Sequence, residues 1–167
     1  IRNALAVDGN TTLGNAAGDT ITINGILNSE NNDIVVRGST IAPISIGRGG
    51  NAIASNTRVG YNALNSNTSG SQNTAFGYEA AFTLNSGSNN TAFGYQALNA
   101  NTSGSQNVAF GIESLMFNVG AERSTAIGRS AMRFANNTTS NIVTFNTAVG
   151  YEALRGSTNA ANNTGLS

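Results

Sequence analysis

Lysine, histidine, cysteine and tryptophan are absent from this chain. Without cysteine there are no disulfides and no thiol nucleophile, and the redox compartment stays open. With histidine also missing, the usual catalytic triads and zinc sites of the Cys/His type are excluded. Pro43 is the only proline, and charged residues make up 10% of the chain, against a usual share of about 25%. The net charge is zero and no basic patch stands out, which argues against nucleic acid as a partner. No apolar run approaches the ~20 residues of a spanning helix, so no membrane insertion is expected in this segment. No basic stretch followed by an apolar one marks a signal peptide.

What is present is small and polar: 27 Asn, 20 Gly, 18 Thr and 17 Ser, about half of 167 residues. Disorder is the first reading of such polarity, but it usually comes with high net charge and few β-branched residues. Here Ile, Val, Phe and Leu recur at set positions. The phrase Asn73-Thr-Ala-Phe-Gly-Tyr-Glu-Ala-Ala81 returns as Asn90-Thr-Ala-Phe-Gly-Tyr-Gln-Ala-Leu98. Its central glycine recurs at Gly60, Gly77, Gly94, Gly111, Gly128 and Gly150, with gaps of 17, 17, 17, 17 and 22 residues. A short unit at a fixed period is the signature of a quasi-one-dimensional repeat protein.

Stacked, the units form columns. Before each glycine stands a large apolar residue: Val59, Phe76, Phe93, Phe110, Ile127 and Val149. One place earlier come Arg58 and then Ala75, Ala92, Ala109, Ala126 and Ala148. After the glycine come Tyr61, Tyr78, Tyr95, Ile112, Arg129 and Tyr151, then the polar column Asn62, Glu79, Gln96, Glu113, Ser130 and Glu152. An Ala/Ser column and a Leu-rich column (Leu64, Ala81, Leu98, Leu115, Met132, Leu154) complete the phrase. This predicts a short strand burying the Phe/Ile/Val column, a bend at glycine where no Cβ intrudes, and a second short strand carrying the Tyr and Leu columns. The Val59, Phe76, Phe93, Phe110, Ile127 and Val149 column, with the six glycines, is the expected repeat core. Parallel pairing of coils sets a rise of ~4.8 Å per repeat, so six repeats span on the order of 30 Å. Pieces of five residues between Gly and Asn are too short to nucleate helices.

Residues 1–47 lack the phrase. Short alternating runs there (Leu5–Val7, Thr11–Leu13, Ile21–Ile23, Ile34–Val36, Ile44–Ile46) are divided by turn signals such as Asn24-Gly25, the pattern of strands a few residues long. Too little apolar material is present for a core from one chain, so several chains wound together are expected. Pro43 marks an edge or junction, and residues 44–52 read as a degraded first repeat. The expected division is a shaft over 1–47 and a β-roll over 48–167. The closing Ala160–Ser167 resembles the lead-in to a further repeat, which implies a longer parent protein.

At these residues the chain resembles the head repeat of trimeric autotransporter adhesins of the YadA type, whose unit reads roughly N-x-V-A-I-G. Asn73–Gly77 and Ser124–Gly128 carry the likeness, over about 100 residues. The same repeat is similar to those of bacteriophage tail fibres, and Val7–Gly14 with Asp19–Gly25 is similar to phage fibre shafts. The resemblance implies an all-β, homotrimeric fibrous protein. In it a triple-β-helix-like shaft leads into a left-handed parallel β-roll. It further implies a virion location, other tail or fibre proteins as partners, a host-surface glycan as an attachment target, and a role as rigid spacer. A bacterial adhesin head at the cell surface and a polysaccharide-degrading tailspike are the alternatives. The 17-residue unit is longer than the adhesin unit, and the five extra residues between Ala131 and Asn146 have no counterpart there.

Candidate chemistry is sparse, and neither an enzyme nor a cofactor or metal is expected. Glu79 and Glu113 share a column two coils apart, about 9.6 Å along the stack, near the upper end of the range for inverting glycosidases; a solvated outward column is the reading preferred, since Asn62, Gln96 and Ser130 fill it elsewhere and no pocket to raise a pKa is expected. Tyr61, Tyr78, Tyr95 and Tyr151 are candidates for glycan contact, against a packed ladder inside the roll. The Asn-x-Ser/Thr triplets at Asn67, Asn90, Asn101, Asn137 and Asn163 read as turn- and ladder-forming Asn rather than glycosylation sites. Arg123, Arg129, Arg133 and Arg155 are expected to pair with Glu122 and Glu152. A Thr57, Thr74, Thr91, Thr125, Thr147 column admits an ice-binding reading, interrupted by Val108.

Overall fold

Three residues, Thr-Ala-Phe, are enough for one strand when the next copy lies 17 residues on. The computed structural model describes residues 34–36, 44–135, 142–156 and 164–166, with side chains from Ile46 onward. Its strands are β1 (Ile34–Val36), β2 (Ile44–Gly47), β3 (Thr57–Val59), β4 (Thr74–Phe76), β5 (Thr91–Phe93), β6 (Val108–Phe110), β7 (Ala121–Glu122), β8 (Thr125–Ile127), β9 (Ile142–Val143), β10 (Thr147–Val149) and β11 (Thr164–Leu166). One sheet runs β1-β2-β3-β4-β5-β6-β8-β10-β11, and β7 pairs with β9 in a second. From β3 onward the main sheet is parallel and in register: Thr57 beside Thr74, Ala75 beside Ala92, Phe93 beside Phe110. The fold is an all-β solenoid of about six coils. A 3-10 turn at Gly50–Ala52 is the only helical element among the described residues, and no described helix is long and apolar enough to cross a membrane.

The corners are made by left-handed backbone. Gly77 has φ 136°, and a Cβ on it would lie 2.5 Å from the carbonyl oxygen of Gly94, so glycine is required there. From the second coil onward, three further residues per coil have positive φ without being glycine. In the second coil they are Gln72 (58°), Glu79 (52°) and Ala81 (50°); their equivalents in the third are Asn89 (59°), Gln96 (52°) and Leu98 (56°). Val, Ile and Thr are absent from all three columns in the described coils, which is what sterics demand of a β-branched residue at φ > 0.

The left-handed residues also decide what faces inward. The strand alternates out-in-out: Thr74 exposed, Ala75 buried, Phe76 exposed. After the corner, the pleat is broken by positive φ, so two consecutive residues point in. Ala63 with Leu64, Ala97 with Leu98 and Ala131 with Met132 are all buried. The core is therefore the Ala column of the strand packed on the Ala/Ser and Leu columns, a narrow bore filled from within one chain. Each fully buried Leu contributes on the order of 2 kcal/mol.

Three expectations are corrected. The Phe/Ile/Val column is not in the core: Phe76, Phe93 and Phe110 are 44%, 41% and 50% exposed. Only alanine fits where strand and opposite wall approach, so the large residues take the outer face. No second strand forms after the glycine, because the two left-handed residues turn the chain; the Tyr column lies outside rather than within the roll. Residues 44–47 are not a degraded parallel repeat. β2 pairs with β3 in the reverse direction, Ile46 opposite Val59 and Gly47 opposite Arg58, and β1 pairs antiparallel with β2. The runs expected at 34–36 and 44–46 are thus strands; the rest of the expected shaft, Pro43 included, lies outside the described residues. β1 and β2, which precede the boundary expected at 47, lie in the same sheet as the coils that follow it.

A buried amide spine runs beside the core. Asn56, Asn73, Asn90 and Asn107 precede successive strands. Each Oδ1 accepts the backbone N–H of the next coil's equivalent residue, at 2.8, 2.9, 3.0 and 3.0 Å. Each Nδ2 donates to a carbonyl of the following connector: Gly70, Gly87, Gly104 and Ala121 at 2.8–2.9 Å. Every buried polar group of this column is paired, as burial requires.

Candidate functional site

With the interior filled, interaction surface has to come from the outer columns. The sheet's outer face carries two rows from each strand. One is Thr57, Thr74, Thr91, Val108, Thr125 and Thr147; the other is Val59, Phe76, Phe93, Phe110, Ile127 and Val149. The parallel register stacks equivalent rings, as in cross-β ladders. Phe76 and Phe93 have centroids 4.7 Å apart, and Phe93 and Phe110 4.8 Å. Beyond the glycine corner the tyrosines form a second ladder, Tyr61 to Tyr78 at 5.5 Å and Tyr78 to Tyr95 at 5.4 Å. Both rows are substantially exposed, Ile112 and Tyr151 included. In these ladders each ring's face is turned to the next ring, so edges rather than faces are offered outward. The Glu79 carboxylate, ahead of burial, pushes the neighbouring Tyr78 phenol above its ordinary value.

No family model, curated protein or solved structure matches this chain.

The remaining candidates are placed by their partners. Glu79 accepts from Gln96 Nε2 at 2.8 Å. Glu113 accepts from Ser130 Oγ at 3.3 Å and pairs with Arg133, Nε to Oε2 at 3.2 Å. Both carboxylates are thus engaged along their own column rather than turned toward each other. Arg155 pairs with Glu152 at 3.3 Å, as expected. Arg133 chooses Glu113, and Arg123 donates to Gln106 Oε1 at 2.7 Å while lying over the Phe145 ring. Arg129 lies over Tyr151 and donates to its hydroxyl at 3.3 Å. Arg133 and Arg155 both lie over Phe134, which stacks on Phe117 at 5.2 Å. Among the described residues, no three His, Cys, Asp or Glu side chains gather as metal ligands. Asn67, Asn90 and Asn101 are buried, out of reach of a modifying enzyme in the folded chain; Asn137 and Asn163 lie outside the described residues. In the Thr column Thr57, Thr74 and Thr91 are exposed while Thr125 and Thr147 are half-buried.

Two features escaped sequence reasoning. The Asn56, Asn73, Asn90, Asn107 spine was legible as a column at the repeat period, but its burial was not. Arg58 stands in the alanine column and reaches inward, where Nη1 donates to the Ala63 carbonyl at 3.2 Å; burial pushes its guanidinium below the usual value.

Proposed function

We propose that this chain is a structural segment of a virion fibre, of the phage tail fibre or spike kind. Three copies run side by side as a rigid spacer for host attachment, with other tail or fibre proteins at its ends. The observation that carries this reading is the exposed ladder Phe76, Phe93, Phe110, Ile127, Val149, continued by the half-buried Val59, on a chain whose own core is already complete. A continuous apolar row on a polar rod calls for a cover. Copies of the same rod offer a matching row with the same rise, and three around one axis bury all three rows at once. The coil-to-coil hydrogen bonds make each rod stiff along its length, which suits a spacer. The trimer number and the virion setting rest on the sequence resemblance.

The test is the mass in solution. A species of three chains that retains its β-sheet signal on dilution supports the reading, and a folded monomer sinks it. The adhesin alternative draws on a different observation, the exposed tyrosine ladder Tyr61, Tyr78, Tyr95, with Tyr151 beyond. If that row is the working surface, Tyr78→Ala abolishes attachment to a host glycan without changing the mass. In the spacer reading the same variant leaves attachment by the full fibre intact.

A further inference from the structure

A stack of parallel coils has two ends, and each end leaves a row of backbone groups and an open bore. Within the stack, the inner carbonyl of each phrase accepts from the coil before it. Ala80 O takes Leu64 N–H at 3.0 Å, Ala97 O takes Ala81 N–H at 2.9 Å, and Ser114 O takes Leu98 N–H at 3.0 Å. Ala63 O, in the first of the described coils, has no described coil before it. It takes Arg58 Nη1 instead, at 3.2 Å. Arg58 is level with Ala75 in the sheet register, so the arginine of the alanine column sits at the β3 end of the described stack, where the bore would otherwise open.

The same end carries two more departures. β2 covers the outer edge of β3 but runs against it, which ends the parallel series. The chain from Gly49 to Ala52 then crosses the first coil. Gly50 N–H donates to Leu64 O at 2.9 Å, and Asn51 Nδ2 donates to Thr68 O at 3.2 Å. The crossing is close: a Cβ on Gly50 would lie 2.6 Å from Asn67 O.

We propose that Arg58, the reversed strand β2 and the Gly49–Ala52 crossing form an end cap that keeps a second copy from stacking on the β3 edge. Exposed strand edges recruit other strands, and inward charges and covered edges are the usual defences. Solenoids need such terminal caps for the same reason. The β3 edge accepts an antiparallel strand, as β2 demonstrates, so the uncovered edge fits the β3 edge of another copy about a two-fold axis. That contact is isologous and closes on itself. Loss of the cap therefore doubles the assembly rather than polymerising it.

The experiment uses the full chain with Ser45→Pro and Gly47→Pro, which deny β2 its ladder donors, combined with Arg58→Ala. The expected result is a reversible, concentration-dependent doubling of the parent mass with the β-sheet signal kept. With Arg58 retained, doubling should need at least about ten-fold more protein, because two arginines then meet in a desolvated contact. An unchanged mass in the folded triple variant overturns the proposal, and so does open-ended growth. Amide exchange on the intact chain gives an answer that depends on no variant. Protection over Thr57–Val59 equal to that over Thr74–Phe76 supports a covered edge, and exchange at the rate of an open edge overturns it.

Discussion

The backbone N–H of Asn90 donates to Oδ1 of Asn73 at 2.9 Å, and both residues are buried. The bond joins one coil to the next through a side chain. Asn90 Oδ1 in turn accepts the backbone N–H of Asn107 at 3.0 Å, and its Nδ2 donates to Gly104 O at 2.9 Å. Asn90→Ala orphans the buried Asn107 N–H, while Gly104 O keeps the Nδ2 donor of Asn101 at 2.9 Å, at a cost of about 1–3 kcal/mol, read as a fall in the denaturation midpoint. Asn90→Asp separates the two roles. The acid keeps an acceptor for Asn107 but turns a charged oxygen on Gly104 O, so its folded pKa should rise above the ordinary ~3.9. A raised folded pKa means stability is fully present below the unfolded value and is lost as pH rises through the folded one. Asn90→Asp should therefore approach the parent in stability near pH 3 and fall away from it by pH 7. Equal offsets at both pH values would refute the assignment.

Ala81 and Leu84 are both buried in one coil where its neighbours carry the opposite sizes, Leu64 with Asn67 and Leu98 with Asn101. Leu84 fills the space Ala81 leaves. Ala81→Leu alone should overpack by about 1–3 kcal/mol. Leu84→Asn alone should cost at least as much, by leaving a cavity and bringing in an amide. The double variant rebuilds the neighbouring coils' pattern, so a double-mutant cycle should return a favourable coupling of about 1 kcal/mol or more. Strict additivity would show that the two sites do not share a space.

Gln96 and Leu98 have φ of 52° and 56°. Leu98→Val and Gln96→Thr put β-branched side chains at left-handed positions and should destabilise by about 1–3 kcal/mol each. Gln96→Asn should be nearly neutral, because Asn tolerates this region. Thermal melts of the three variants check the ordering. If Gln96→Thr matched Gln96→Asn, backbone strain would not be what keeps β-branched residues out of the column.

The repeat, its period, its parallel stacking and the glycine corners were legible because each rests on recurrence along the chain. Which face of the strand is buried was not. Thr-Ala-Phe alternates cleanly, and hydrophobicity alone assigns Phe76 to the interior. That choice would also have put Thr74 inside, without a partner, and alanine out in five successive coils. The better clue was size: a column that stays alanine from 75 to 148 marks a close approach. The second strand failed for a related reason, since nothing in Tyr-Glu-Ala announces positive φ at Glu79 until the lack of β-branched residues is noticed across coils. The arginine positions were found, and so was the pairing of Arg155 with Glu152, but the partners of Arg123, Arg129 and Arg133 were not, because pairing between coils depends on side-chain direction rather than spacing.

Ala92 and Phe93 are neighbours on β5, one buried and one 41% exposed. The first reading of the sequence would make Phe93 the costly site and Ala92 the tolerant one. The observed pleat reverses this for the chain and divides the effects by measurement. Ala92→Leu forces three methylene-sized groups into the narrowest part of the bore and should destabilise the coil by about 3 kcal/mol or more, whatever the protein concentration. Phe93→Ser removes an outer ring from the ladder of Phe76 and Phe110. If other copies cover this row, as proposed, its effect should depend on concentration. The dissociation midpoint should rise by ten-fold or more, for a loss of about 1.5–3 kcal/mol of burial, while the isolated rod keeps its strand signal. Dilution series followed by mass and by circular dichroism separate the two. A Phe93→Ser chain that unfolds at every concentration, with no intact lower-mass species, would mean that the outer ladder belongs to the chain's own fold and not to its contacts with others.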